Sequence, residues 1–364
     1  MVLDHINIIK YLMQRGLLEP ESILEQKIRI REVSSRNLNF QVSSDLHSYM
    51  IKQGISSETR IAIEKEADFY RYVYTKRDKK LADLFPDFYC FDPKYHILII
   101  EMISKAQNAR SYYSYSKNFS ARLASKMGYI LGVLHSSTEG ERENTLDRFK
   151  SSRSWKAPYF HLDALKHLSG ASMSVMKILQ EYPEFSKVFG DIEKNWKEEA
   201  IIHNDIRFDN FLFYREKNSN FKMKVKLIDL ELVCLGDPRW DVASIFGEFL
   251  SQWVLSMPVV PGIHPHEYMK MAVYRIQAMK PAMRSFWYTY GLTRQFEDPI
   301  SNQFLLSSTR YISMKLINSA FEVADSASKI SNNVICLLQM ASNIFKRPAD
   351  TIRSLLGITL TYEN

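Results

Sequence analysis

The sequence predicts an α+β chain of two lobes, a small antiparallel-sheet lobe followed by a larger, mainly helical one. Three observations carry this. Apolar residues recur with period two, or in short runs, over Lys27–Val33, Asn39–Ser43 and Ser48–Gln53, the pattern of half-buried strands. Beyond residue 103 the apolar spacing becomes helical over long stretches. Between the two lies Ser104–Ser120, rich in Ser, Tyr and Asn, which reads as a connector. The expected division is 1–103 and 104–364.

Met1–Leu18 carries Asp4, Lys10 and Arg15 among its apolar residues, so it reads as an amphipathic helix and lacks the charge order of a signal peptide. The three strands follow, and then Ser56–Tyr74, which opens on Ser-Ser and places Ile61, Phe69, Tyr70 and Val73 for a helix packed on the sheet. Two more strands are expected at Asp87–Phe91 and Ile97–Met102. In the second lobe Leu123, Met127, Ile130, Leu131 and Leu134 repeat with helical spacing and end at His135. Further helices are expected over Asp163–Glu181, Pro238–Met257, His266–Thr289, Gln303–Ser328 and Asn332–Lys346, interrupted by strands at Phe211–Arg215 and Lys224–Val233.

Composition bounds the function. With 364 residues, 46% of them hydrophobic and 13% aromatic, the chain can bury a large core and lacks the signature of disorder. Its three cysteines, Cys90, Cys234 and Cys336, are too few and too scattered for a disulfide framework or a zinc site. Apolar runs such as His96–Ile103 fall short of the roughly 20 residues a membrane span needs, so a soluble cytoplasmic protein without membrane association is expected. The net charge is +7, but Lys and Arg are spread along the chain without a basic block, and nucleic-acid binding is not expected.

The chemistry sits in His203-Asn204-Asp205-Ile206-Arg207-Phe208-Asp209-Asn210 and in Leu227-Ile228-Asp229-Leu230-Glu231. Phosphoryl transfer from ATP needs a carboxylate to orient the attacking hydroxyl and oxygen ligands for magnesium on the phosphates. Asp205 supplies the first, while Asn210 and Asp229 supply the second. The H-x-D-x-x-x-x-N order is that of the kinase catalytic loop.

With these motifs, with Gly236-Asp237-Pro238-Arg239-Trp240-Asp241 and Ala243, and with Leu131-Gly132-Val133-Leu134-His135, the sequence resembles the aminoglycoside phosphotransferase and choline kinase group of small-molecule kinases. The resemblance implies a bilobal protein-kinase-like fold, with ATP and Mg2+ as cofactors. It implies that His203 braces the loop. Asp241 is also read as structural, its carboxylate capping catalytic-loop amides, since buried N–H groups need an acceptor. Lys52, in Tyr49-Met50-Ile51-Lys52, is placed to reach the α- and β-phosphates, with Glu66 as its ion-pair partner on the following helix and Glu64 as the alternative. Ser35, Arg36 and Asn37 stand where the family usually has a glycine-containing phosphate loop, and no glycine occurs there. Glu101 and Ile103 lie in the segment whose backbone would meet adenine.

The acceptor is less clearly written. Between Ser244 and Asn302 the acids Glu248, Glu267, Glu297 and Asp298 are balanced by Lys270, Arg275, Lys280, Arg284 and Arg294. A polycationic aminoglycoside needs an acidic cleft, so antibiotic phosphorylation is the lesser expectation. Two acceptors remain: a neutral or anionic small metabolite, and a Ser or Thr of a peptide. The second follows from the resemblance, since kinases of this group occur in ribosomal-peptide natural-product biosynthesis, and it would bring a biosynthetic partner enzyme. The segments Ser104–Ser120 and Ser137–Pro158 are the expected walls of the acceptor site. The missing glycine loop also leaves open a pseudokinase that binds without catalysis.

Overall fold

A computed structural model of the protein describes residues 1–21, 28–34, 37–44, 47–140, 149–150, 152, 168–215, 223–260 and 265–360. The chain packs as two compact units, Met1–Ala109 with Asn210–Val233, and Arg110–Asp209 with Cys234–Asn364. The fold is α+β.

The first unit is built on a five-stranded antiparallel sheet in the order β1 (Arg29–Glu32), β2 (Leu38–Ser43), β3 (Ser48–Gln53), β5 (Ile97–Glu101), β4 (Phe88–Asp92). The register sets Phe40 opposite Ile51 and Val42 opposite Tyr49. With side chains alternating along each strand, these four share one core with Ile97 and Ile99 and with Ile8 and Leu12 of the leading helix, Asn7–Gln14. Lys52 falls between Ile51 and Gln53 and therefore presents to the other face. The Ser57–Lys76 helix covers that face, burying Ile63, Glu66, Ala67, Phe69, Tyr70 and Val73. Its start is set by a capping box in which the Ser56 hydroxyl accepts from the Thr59 amide at 3.2 Å. A second, three-stranded sheet completes the unit, with Phe211–Arg215 between Gln107–Asn108 and Met223–Leu227.

The second unit is helical around Pro238–Leu255, which is buried from Pro238 through Val254. An all-round apolar helix of this kind belongs in the centre of a domain. Around it pack Ile276–Thr293, Asp298–Ala324 and Asn332–Lys346. Ala121–Thr138 lies along Ile276–Thr293 at an approach only glycine permits: a Cβ on Gly128 would stand 2.3 Å from the Phe286 carbonyl oxygen. Two short strands, Ala200–Ile202 and Cys234–Gly236, pair antiparallel in this unit. No helix among the described residues is long and apolar enough to cross a membrane.

Several elements differ from expectation for identifiable reasons. Ser104–Ser120 is no bare connector, because it holds the strand Gln107–Asn108 and the helix Ala109–Ser116. Tyr113 of that helix is fully buried against Phe119 and Phe208, so one aromatic anchors a polar stretch. The strand expected to reach Val233 stops at Leu227, since Asp229 adopts a left-handed φ of 67° and a 3-10 turn follows. The helix expected over His266–Thr289 is two, Pro265–Lys270 and Ile276–Thr293. Ser256 holds the chain between them, accepting from Tyr274 N–H at its hydroxyl and from Val273 N–H at its carbonyl. Pro183–Asn195, a helix not foreseen, has its proline in the first turn, where the missing N–H costs nothing. The expected Asp163–Glu181 helix is seen as Gly170–Glu181, and residues 163–167 lie outside the described residues.

Replacing Gly128 with valine should lower stability by about 1–3 kcal/mol or more through overpacking, read as a shifted urea midpoint. An unchanged midpoint would show that the two helices can separate without cost.

Candidate active site

In the first unit the candidate nucleotide residues gather at the covered face of the sheet. Lys52 Nζ donates to both carboxylate oxygens of Glu66, at 3.0 and 2.8 Å, and to Asp229 Oδ1 at 3.1 Å. Glu66 is fully buried on the helix. Glu64 points elsewhere and approaches the His96 imidazole at 3.3 Å. Burial works against charge on Lys52, yet the two carboxylates outweigh it and hold the ammonium above its ordinary pKa. Burial also raises the Glu66 carboxyl, and Lys52 offsets only part of that. The result is a lysine fixed as a cation with one carboxylate that is not fully buried, Asp229, beside it.

Asp229 lies next to Asn210 because the Ile228 amide donates to the Asn210 carbonyl at 2.9 Å. Both side chains offer oxygen. Magnesium is commonly held by one or two carboxylates plus substrate phosphates, so this donor set fits it. No group of three or more His, Cys, Asp or Glu side chains among the described residues forms a self-sufficient metal cage. Asn37 Nδ2 reaches Glu231 Oε2 at 3.4 Å, which ties the segment before β2 to the turn after Asp229. Glu101 uses its carboxylate within the unit, accepting from Asp87 N–H at 3.2 Å and lying 3.4 Å from Lys226 Nζ. Ile103 is buried. Ser35 and Arg36 lie outside the described residues, as does most of Ser137–Pro158.

In the second unit the loop carrying Asp205 is held from below. The Ala200–Ile202 and Cys234–Gly236 pair joins the start of His203–Asp209 to the start of the Gly-Asp-Pro motif. Asp237 caps the following helix by accepting from Arg239 N–H at 3.0 Å, and it also receives the Tyr311 hydroxyl at 2.7 Å. One turn into that helix the fully buried Asp241 accepts from His203 N–H at 2.7 Å and from Asn204 N–H at 3.0 Å. Trp240 Nε1 donates to the Asn204 carbonyl at 3.2 Å. Asn204 keeps a left-handed φ of 68°, a conformation that persists in an asparagine only where surroundings enforce it. His203 is buried, and its Nδ1 accepts from Asp205 N–H at 3.3 Å.

Sequence reasoning gave no site role to four groups that the structure brings to this loop. His135 Nε2 meets Asp241 Oδ2 at 3.2 Å while its Nδ1 meets the Tyr290 hydroxyl at 3.0 Å. Arg207 Nε donates to Asp205 Oδ1 at 3.0 Å, and its two terminal nitrogens bond both oxygens of Glu322. Glu248 Oε2 accepts from Phe208 N–H at 2.9 Å and from Arg110 at 2.8 Å. Arg110 in turn binds Asp209 at 2.6 Å. Glu248 lies further along the helix that carries Asp241, and an acid in so apolar a helix was a readable signal. Arg110 and Glu322 carried none, since their relation to the loop exists only in three dimensions.

The model of the phosphotransferase enzyme family, APH, matches residues 28–262, which takes in both halves of this constellation. The chain belongs to that family. It is a phosphotransferase, a kinase by class, with the α+β kinase-like fold. Two solved kinases share this fold: choline kinase from Cryptosporidium parvum Iowa II, at 14% identity over 97% of this chain and 99% of that one with a TM-score of 0.57, and the microcompartment-associated aminopropanol kinase, at 15% identity over 98% and 100% with a TM-score of 0.54. No curated protein sequence matches the chain significantly.

Burial holds the His135 imidazole below its ordinary pKa, with Asp241 pulling the other way. The folded protein therefore takes up this proton less readily than the unfolded chain. Its stability is complete above the unfolded value of about 6.5 and falls as pH drops below it. Urea midpoints should decline from about pH 6.5 to about pH 5, and more shallowly in His135→Gln. Equal slopes in the two proteins would remove His135 as the cause.

Proposed function

We propose that the chain transfers the γ-phosphate of ATP, with magnesium, to a hydroxyl of a small molecule that is not a polycation. The observation that carries this is Lys52, kept cationic between Glu66 and Asp229. A lysine so held can give its charge to phosphate oxygens, and the pair with Glu66 keeps it aimed. Asn210 and Asp229 would hold the metal, which when bound neutralises charge building on the transferred phosphate. Asp205, on a loop whose backbone is bonded on several sides, would orient the acceptor hydroxyl and take its proton. Asp241 and His203 would support that loop. The nucleotide belongs to the first unit, with the Asn37 segment, Glu101 and Ile103 as its further neighbours, and the acceptor belongs to the second.

Charge supports the acceptor class. In the second unit Asp205 is paired with Arg207, Asp209 and Glu248 with Arg110, and Lys315 stands 3.9 Å from Glu248. A polycation would have to displace the protein's own cations. The two solved kinases above are named for choline and for aminopropanol, which favours a small alcohol over a peptide.

Asp205→Asn should keep nucleotide binding while lowering turnover about a hundredfold or more, measured as γ-phosphate transfer alongside nucleotide titration. Near-normal turnover would remove Asp205 from this role. Asp229→Ala should instead weaken magnesium-dependent nucleotide affinity. In a screen of alcohols and aminoglycosides, small alcohols should be phosphorylated in preference to polycations. Transfer to kanamycin-like polycations alone would overturn the acceptor class, and absence of any magnesium-dependent ATP turnover would favour a binding-only protein.

A further inference from the structure

Arg207 bonds in two directions at once. Its Nε donates to Asp205 Oδ1 at 3.0 Å, while Nη1 and Nη2 donate to Glu322 Oε2 and Oε1 at 3.3 and 2.5 Å. A guanidinium is planar, and each of its forked edges can take a carboxylate through two parallel N–H bonds. Glu322 fills one edge, the pair of terminal nitrogens. The other edge, Nε with Nη2, meets Asp205 through Nε alone, because Nη2 is bonded to Glu322.

Two facts set Glu322 apart from an ordinary surface acid. It stands in the last turn of the helix Asp298–Ala324, where the backbone carbonyls disfavour a negative charge and a base would be the better choice. The cluster it forms with Arg207 and Asp205 is also part exposed, the three side chains at 41, 36 and 30%, and ion pairs of that exposure add little to stability. Stability therefore gives no account of an acid at this end of the helix. The helix end is nevertheless held: Phe321, beside Glu322, is fully buried, and the Ser169 hydroxyl donates to the Ala324 carbonyl at 2.7 Å. Glu322 is thus a fixed point from which a neighbour can be aimed.

We propose that Glu322 is a positioning residue of the phosphotransfer loop. By occupying Nη1 and Nη2 it limits Arg207 to one oxygen of Asp205, so the guanidinium steers that carboxylate without capturing it. In the absence of Glu322 the full Nε–Nη2 edge would turn onto Asp205, and both of its oxygens would be drawn away from an acceptor hydroxyl. The contacts stand on geometry alone; their meaning for turnover rests on the reading of Asp205 given above.

The test measures magnesium-dependent ATP turnover on the full protein, with propane-1,2-diol as acceptor and with water alone, alongside urea midpoints. Glu322→Gln should lower kcat about tenfold or more, while KM for ATP and the urea midpoint stay at their wild-type values. Glu322→Asp, which keeps the charge, should recover part of the loss. In an Arg207→Lys background, which lacks the forked edge, Glu322→Gln should cost nothing further, because Glu322 acts through Arg207. Unchanged kcat in Glu322→Gln, a loss that adds in full to that of Arg207→Lys, or a fall in urea midpoint that accounts for the lost activity would each overturn the proposal. One readout needs no activity. The Nε–H resonance of Arg207 in protein carrying isotope-labelled arginine, assigned by its disappearance in Arg207→Lys, should shift in both Asp205→Asn and Glu322→Gln, and an unmoved resonance would overturn the brace itself. Failure of the kinase reading looks different: no ATP turnover by wild type, or full turnover by Asp205→Asn, with the Arg207 resonance still answering to Glu322.

Discussion

The Asp241 carboxylate is the constraint on which the second unit's site depends. Buried backbone amides must be paired, and those of His203 and Asn204 have no strand neighbour to pair with. One fully buried carboxylate accepts both, and the His135 ring bonds the same group from a third side. Because Asp241 sits on the central helix and that helix is buried along nearly its whole length, the loop is tied to the core of the unit. The left-handed backbone of Asn204 and the indole bond from Trp240 lie beside that anchor.

The other charges near the candidate sites are matched by fixed counter-ions, some on another element and some on their own. Lys52 faces Glu66 and Asp229 in the first unit. Arg110 joins Asp209 to Glu248 in the second, and Arg239 is bonded to the Asp237 cap. For the buried Lys52–Glu66 pair desolvation offsets much of the attraction, but removing one partner strands the other at a cost of several kcal/mol. Their effect is to fix geometry. For phosphoryl transfer, where positioning and electrostatics dominate over covalent participation, fixed geometry is what a scaffold can contribute.

Where the sequence was legible, the physical signal was local. Ser48–Gln53, Phe211–Arg215 and Asn332–Lys346 have the bounds their periodicity implied. The choice of Glu66 over Glu64 was open from sequence because helix phase was uncertain, and the structure turns Glu66 toward Lys52. The polar stretch Ser104–Ser120 misled because Tyr113 earns its helix through burial against aromatics distant in the chain. Asp229 misled in another way, its left-handed turn ending a run of strand formers too early for propensity to show.

The sequence by itself determined the fold class, the family and the residue types of the phosphate chemistry, since motifs such as His203–Asn210 and Gly236–Asp241 are contiguous and their spacing along the chain carries the meaning. Only the tertiary structure decided what surrounds them. Arg207 reaching Glu322 and Arg110 bridging Asp209 and Glu248 join positions far apart in the chain. Nothing in local propensity or periodicity encodes such distances, because they are set by helices packing against one another after each has formed.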